Sequence, residues 1–164
     1  DGSIKDLIEI KKNISLPILR KDFIVDEYQI YESKLIGADC ILIIMSMLEK
    51  NDADRFIKIA DELNLDTIIE VHSIDELQMA KSMSSKMIGI NNRDLSNFQT
   101  DLNTTIRLAR ETEDSEKILI SESGFHSKND IQKIFQKTGI NNFLIGEYLM
   151  KSNKLSSHIG SLLN

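Results

Sequence analysis

Apolar and polar positions follow one another along this chain in two rhythms. Runs such as CILIIM (Cys40–Met45), TIIEVH (Thr67–His72) and KILISE (Lys117–Glu122) are almost continuously apolar, as strands of a parallel sheet covered on both faces are. Between them apolar residues recur every three or four positions, as on one side of a helix. The pattern opens with an amphipathic helix capped by Ser3 and Asp6, with Leu7, Ile8, Ile10 and Ile14 on its apolar side. Strands are predicted at Leu16–Arg20, Asp39–Met45, Asp66–His72, Lys86–Ile90, Lys117–Ser121 and Asn142–Ile145. Helices are predicted at about Asp26–Ile36, Asn51–Leu63, Ile74–Ser82, Asp101–Arg110 and Lys128–Lys137, then a short turn at Tyr148–Met150 and a helix near Leu155–Leu163. Gly37 and Gly139 stand where helix-ending glycines belong, and Asn91–Thr100 reads as a long loop.

Six strands alternating with helices, without a composition break, predict one α/β domain over residues 1–164. The pattern alone leaves a closed barrel and a doubly wound open sheet as alternatives. In both, chemistry gathers where the strand C-termini meet. Side chains alternate between faces of a strand, so Ile68, Glu70 and His72 share one face, as do Ile118, Ile120 and Glu122, and Leu19, Lys21 and Phe23. In each trio apolar residues lead to a polar group near the strand's end.

Composition narrows the function. The net charge of −6, the absence of Trp and the lack of a basic stripe argue against a nucleic-acid partner. No apolar stretch approaches the roughly 18–20 residues of a membrane crossing, and the opening DGSIKDLIEI is not a secretory signal. Cys40 is the lone cysteine, inside an apolar run, which fits a cytoplasmic protein and a buried thiol. His72, His126 and His158 lack metal-ligand spacing, so no metal is predicted; His126 and His158 are expected at the surface.

The strand ends carry Lys21, Glu70, Asn91, Arg93, Glu122, Gly124 and Gly146. A buried Glu70 or Glu122 either finds a partner or has its pKa pushed up toward neutrality, which suits acid/base work. Asn91 can orient a substrate and Arg93 can fork onto a carboxylate. Ser123-Gly124 and Gly146-Glu147 end the last two strands, where backbone N–H groups can receive an anion; Glu147 is expected as an N-cap pointing away.

Taken together, LPILRKDF, IIEVHSIDEL, IGINNRDL, ILISESGFHS and FLIGEYLM resemble the indole-3-glycerol phosphate synthase family of tryptophan biosynthesis, in order and across nearly the whole chain. The resemblance implies a (β/α)8 barrel, incomplete here, whose six strands correspond to strands three to eight. It implies ring closure, decarboxylation and dehydration of 1-(2-carboxyphenylamino)-1-deoxyribulose 5-phosphate, without metal or organic cofactor. By motif, Lys21 is the general acid on the carbonyl oxygen, Glu70 serves dehydration, Asn91 orients, and Arg93 meets the anthranilate carboxylate. Glu122 and Ser123 line the mouth, while Gly124, Leu144, Gly146 and Glu147 belong to the substrate- and phosphate-binding stretch. The family's first-strand motif, with its glutamate and lysine, has no counterpart. The expectation is therefore a nearly inactive chain that self-associates through exposed sheet edges. The competing readings are another phosphate-binding barrel, such as phosphoribosylanthranilate isomerase or thiamine phosphate synthase, and an inert phosphate-binding fragment.

Overall fold

The computed structural model describes residues 2–112, 116–151 and 155–163. Strands β1 (Leu19–Arg20), β2 (Cys40–Ile44), β3 (Asp66–Val71), β4 (Met87–Asn91), β5 (Ile118–Glu122) and β6 (Phe143–Leu144) form one parallel sheet in sequential order. Helices α1 (Ile4–Asn13), α2 (Tyr28–Leu35), α3 (Lys50–Glu62), α4 (Ile74–Lys81), α5 (Asn103–Ala109) and α6 (Lys128–Thr138) alternate with the strands, followed by α7 (Glu147–Met150) and α8 (Leu155–Leu163). Sequential order in a parallel sheet curves it into part of a (β/α)8 barrel, which resolves the alternative left open above in favour of the barrel.

The two faces bury different sets. Ile41, Ile43, Ile69, Val71, Ile88 and Ile90 point outward into the core beneath the helices. Cys40, Leu42, Ile44 and Ile68 point inward, with Leu19, Met87 and Ile120 packed against them. Burial of the Cys40 thiol in this lining pushes its pKa up to about 12.

The outer strands are shorter than expected. β1 starts only at Leu19, because Pro17 cannot donate to the ladder and Leu16 remains exposed. The α1 capping box of Ser3 and Asp6 forms, yet α1 buries no residue fully. Ile10 and Ile14 stay exposed; partly buried Leu7 and a Lys11–Asp39 ion pair of 2.6 Å hold the helix instead. Gly37 (φ +89°), where an added Cβ would meet Lys11 Cγ at 3.0 Å, and Gly139 (φ +74°), which ends α6, both lie in the left-handed region that glycine adopts freely.

Candidate functional site

Three strands deliver the central groups through their inward parity. Glu70 near the end of β3 and Glu122 at the end of β5 are 1% and 0% exposed. The Lys21 ammonium, just past β1, lies 3.3 Å from Glu70 Oε2 and 3.3 Å from Glu122 Oε2. Its side chain is 43% exposed, so this cation bridges two buried carboxylates while its stem reaches solvent. Asn91, at the end of β4, donates from Nδ2 to Glu70 Oε1 at 2.9 Å and accepts the Arg93 N–H on Oδ1 at 3.0 Å.

Gly89 makes the carboxylate pair possible. The register sets Gly89 opposite Glu70 on one side and Ile120 on the other. A Cβ at this position would fall 2.0 Å from Glu122 Oε1, so the carboxylate occupies the notch that glycine leaves. The pairing register, invisible in a single strand's sequence, is what reveals the role of Gly89.

The two carboxylates differ sharply. Burial works to raise the Glu70 pKa, but His72, Lys21 and Asn91 outweigh it and draw it down to about 2. Burial pushes Glu122 up to about 7; Lys21 pulls against this and the Glu70 charge adds to it. Glu122 Oε1 has no hydrogen-bond partner among the described residues. Within this coupled pair His72, Lys21 and Asn91 draw Glu70 toward the anion while burial draws Glu122 toward the acid, so Glu122 is the stronger candidate to carry a proton.

His72 completes the arrangement. Its Nε2 lies 3.3 Å from Glu70 Oε1 and its Nδ1 lies 3.5 Å from Glu76 Oε2, as ion pairs rather than aligned hydrogen bonds. Burial disfavours the imidazolium, but the two carboxylates prevail and raise its pKa to about 9.

Around this centre the loops are braced by Asn92. Its Nδ2 donates to Ser121 Oγ, the Glu122 carbonyl and the Ser123 carbonyl at 2.9–3.2 Å. Its Oδ1 accepts from the Thr105 N–H and hydroxyl at 3.1 and 2.9 Å. This buried network fixes the end of β5 against the start of α5. Ser121 is thus a structural hydroxyl. Ser123 (φ +65°) and Gly124 (φ +82°) make a left-handed bend beside β6, where the Ser123 N–H donates to the Leu144 carbonyl at 3.3 Å. Leu144 lies opposite Glu122 in register.

Other expectations are revised. Gly146, not Glu147, is the N-cap of α7, and the Glu147 carboxylate grips the Arg93 guanidinium and the Lys151 ammonium. Lys151 and then Arg93 hold Glu147 below the ordinary carboxylate range. Arg93 thus already has an anionic partner at the rim. His126 is exposed, but His158 is half-buried and stacks on Tyr148 at 4.9 Å between ring centroids. The Asn91–Thr100 loop closes as a hairpin, with an Arg93–Thr100 antiparallel bridge and a Phe98 N–H bonded to the Asp94 carbonyl at 2.8 Å. A cavity of about 770 Å³ lies between this hairpin, Phe23, Met47, His72 and Asn91. Among the described residues no cluster of His, Cys, Asp and Glu is placed to hold a metal.

The family model for indole-3-glycerol phosphate synthase matches residues 1–162. The chain belongs to the indole-3-glycerol phosphate synthase family. It is 44% identical over 153 residues to the indole-3-glycerol phosphate synthase of Legionella pneumophila strain Paris, covering 93% of this chain and 58% of that protein. It is 42% identical over 161 residues to that of Ruminiclostridium cellulolyticum, covering 98% of this chain and 61% of the relative. The chain thus spans about three-fifths of the synthases it matches. A 3-hexulose-6-phosphate synthase structure superposes with a TM-score of 0.79 at 14% identity, over 97% of this chain and 78% of that one. The structure of KGPDC from Streptococcus mutans superposes with a TM-score of 0.72 at 14% identity, over 96% of this chain and 75% of that one. These two share the barrel fold. Within the synthase family frame, RKDF supplies Lys21, EVH supplies Glu70 and His72, GINNR supplies Asn91 to Arg93, and SESG supplies Glu122 to Gly124.

Proposed function

We propose that this chain carries the acid/base centre for closing the ring of 1-(2-carboxyphenylamino)-1-deoxyribulose 5-phosphate and releasing carbon dioxide and water to leave indole-3-glycerol phosphate. The observation that carries the reading is Lys21, a half-exposed cation held 3.3 Å from two buried carboxylates, Glu70 and Glu122. Lys21 gives a proton from Nζ to the carbonyl oxygen while the ring carbon bearing the carboxylate attacks the carbonyl carbon. Carbon dioxide then leaves that ring carbon. Protonated Glu122 then restores the Lys21 ammonium, and Lys21 gives this second proton to the departing hydroxyl so that it leaves as water. Ionised Glu70 accepts the proton the substrate loses in the same dehydration.

Asn91 keeps Glu70 in place. Arg93, on exchanging Glu147 for the substrate, meets the anthranilate carboxylate, and Ser123, Gly124, Leu144, Gly146 and Glu147 border the phosphate. The reading needs no cofactor, nucleic acid or membrane, and takes residues 1–164 as one partial barrel domain in the cytoplasm. Among the described residues no helix is long and apolar enough to cross a membrane. Among the described residues β1 and β6 each have one strand neighbour, which supports self-association through these edges.

The test is a calorimetric titration of the chain with the reduced, non-cyclising substrate analogue, with turnover followed by indole fluorescence. Saturable binding that inorganic phosphate competes away and that Lys21→Met weakens is the expected result. Binding indifferent to Lys21→Met removes the assignment. Phosphate binding without any analogue binding favours the inert phosphate-cup reading instead.

A further inference from the structure

Lys21 poses a charge problem that it cannot solve itself. It is the cation between Glu70 and Glu122, yet in the reaction proposed above its N–H bond breaks as the substrate O–H forms, leaving a neutral amine. From that moment Glu70 has lost one of the two cationic partners it has among the described residues. A buried carboxylate without a counter-charge takes up a proton, and a protonated Glu70 cannot accept one in dehydration.

The remaining neighbour is His72. It leaves β3 on the same face as Glu70, two residues later, so Nε2 reaches Glu70 Oε1 at 3.3 Å. The other ring nitrogen is held from a different element. Glu76, in the first turn of α4, places Oε2 3.5 Å from Nδ1 and accepts the His72 backbone N–H on the same oxygen at 2.8 Å. The start of α4 is fixed in turn by Ser73, whose hydroxyl accepts the Glu76 N–H at 3.2 Å. Asp94, in the hairpin after β4, lines the same cavity as His72, and its negative charge interacts with the ring. Glu70 from β3, Glu76 from α4 and Asp94 from the hairpin therefore all favour a positive imidazole, and its side chain is only 16% exposed.

Resting on the function proposed above, we infer that His72 is a positioning residue, a fixed imidazolium that keeps Glu70 ionised while the Lys21 charge is absent. Glu76 is its anchor. The site thus divides its two cations: Lys21 is reachable and exchanges its proton, whereas His72 is sandwiched between carboxylates and keeps both of its own. His72 touches no reacting atom in this scheme; it acts through Glu70.

The experiment needs no turnover and uses the chain as it stands. In protein carrying ¹⁵N-labelled histidine at pH 7.5, both His72 ring nitrogens are expected to be protonated; a neutral ring overturns the proposal. Lys21→Met then imitates the neutralised lysine, and ¹³C-labelled glutamate side chains report Glu70. In Lys21→Met, Glu70 is expected to remain ionised down to pH 5. In Lys21→Met/His72→Gln its midpoint is expected to rise by at least about one unit beyond the single variant, tenfold in proton affinity. Equal midpoints in the two overturn the role. Should the double variant fail to fold by circular dichroism, Lys21→Met/Glu76→Gln decides: a smaller rise in the same direction supports the proposal and no rise overturns it. Absent analogue binding removes the functional reading but leaves these titrations untouched, whereas a neutral His72 beside normal analogue binding removes this inference alone.

Discussion

Gly89→Ala tests the carboxylate notch directly. The added Cβ would lie 2.0 Å from Glu122 Oε1, 3.0 Å from its Cδ and 3.1 Å from Ile68 Cγ2. The oxygen must retreat by about 1 Å to reach the 3.0 Å floor of real Cβ contacts. It is the end of a side chain rather than backbone, so the carboxylate moves and the sheet does not. Overpacking of a buried site costs about 1–3 kcal/mol. Gly89 lies outside the left-handed region, so alanine recovers about 0.4–1 kcal/mol by restricting the unfolded chain. The net loss is roughly 1–2 kcal/mol, or about 2–8 °C in Tm for a chain of this size, read by calorimetry. The larger effect is local: the retreating carboxylate gives up its 3.3 Å contact with Lys21. The Glu122 titration midpoint, followed by ¹³C NMR, is then expected to leave the neighbourhood of 7. A variant as stable as the parent, with Glu122 still titrating near 7, refutes the notch argument.

Further outcomes follow from the same contacts. Asn92→Ala strands the Thr105 N–H and hydroxyl and is expected to lower stability by roughly 2–4 kcal/mol in urea titrations; a loss under about 1 kcal/mol means the network relaxes around the gap. Glu122 is held near 7 against an ordinary 4.5, so the folded chain keeps a proton that the unfolded chain loses, and its contribution makes stability fall as pH rises from 4.5 to 7. Glu122→Gln should flatten that part of the pH–stability curve, and an unchanged slope counts against the raised pKa. His72, held at about 9 against 6.5, contributes stability fully below 6.5 that is lost as pH rises through 9, a limb that His72→Gln should remove. Gly124→Ala, at φ +82°, is expected to weaken phosphate binding about tenfold by distorting the bend, and unaltered affinity by ³¹P NMR would place the anion elsewhere.

Much of the architecture was legible because both rhythms are strong. CILII is apolar at every position and forms a strand buried at every position. Inward parity correctly grouped Leu19 with Lys21, Ile68 with Glu70 and Ile120 with Glu122. What escaped were properties that depend on two strands at once. No single-strand pattern shows that Gly89 faces Glu122, or that Asn92 reaches Ser121 and Thr105. The charge states escaped for the same reason: Glu70 and Glu122 look alike in sequence, and only their unequal shares of His72 and Asn91 separate them. At α1 the pattern misled, since Ile10 and Ile14 keep helical spacing yet lie exposed beside the edge strand.

The inward-facing Cys40 gives the molecule a clock of its own. A thiol held near pKa 12 carries almost no thiolate in the closed state, so alkylating reagents meet a reactive sulfur only when the lining parts. With no second cysteine in the chain to compete, the modification rate at a fixed reagent excess counts openings of the sheet. Any ligand that seats at the strand ends should slow that count in proportion to the time it keeps the lining shut.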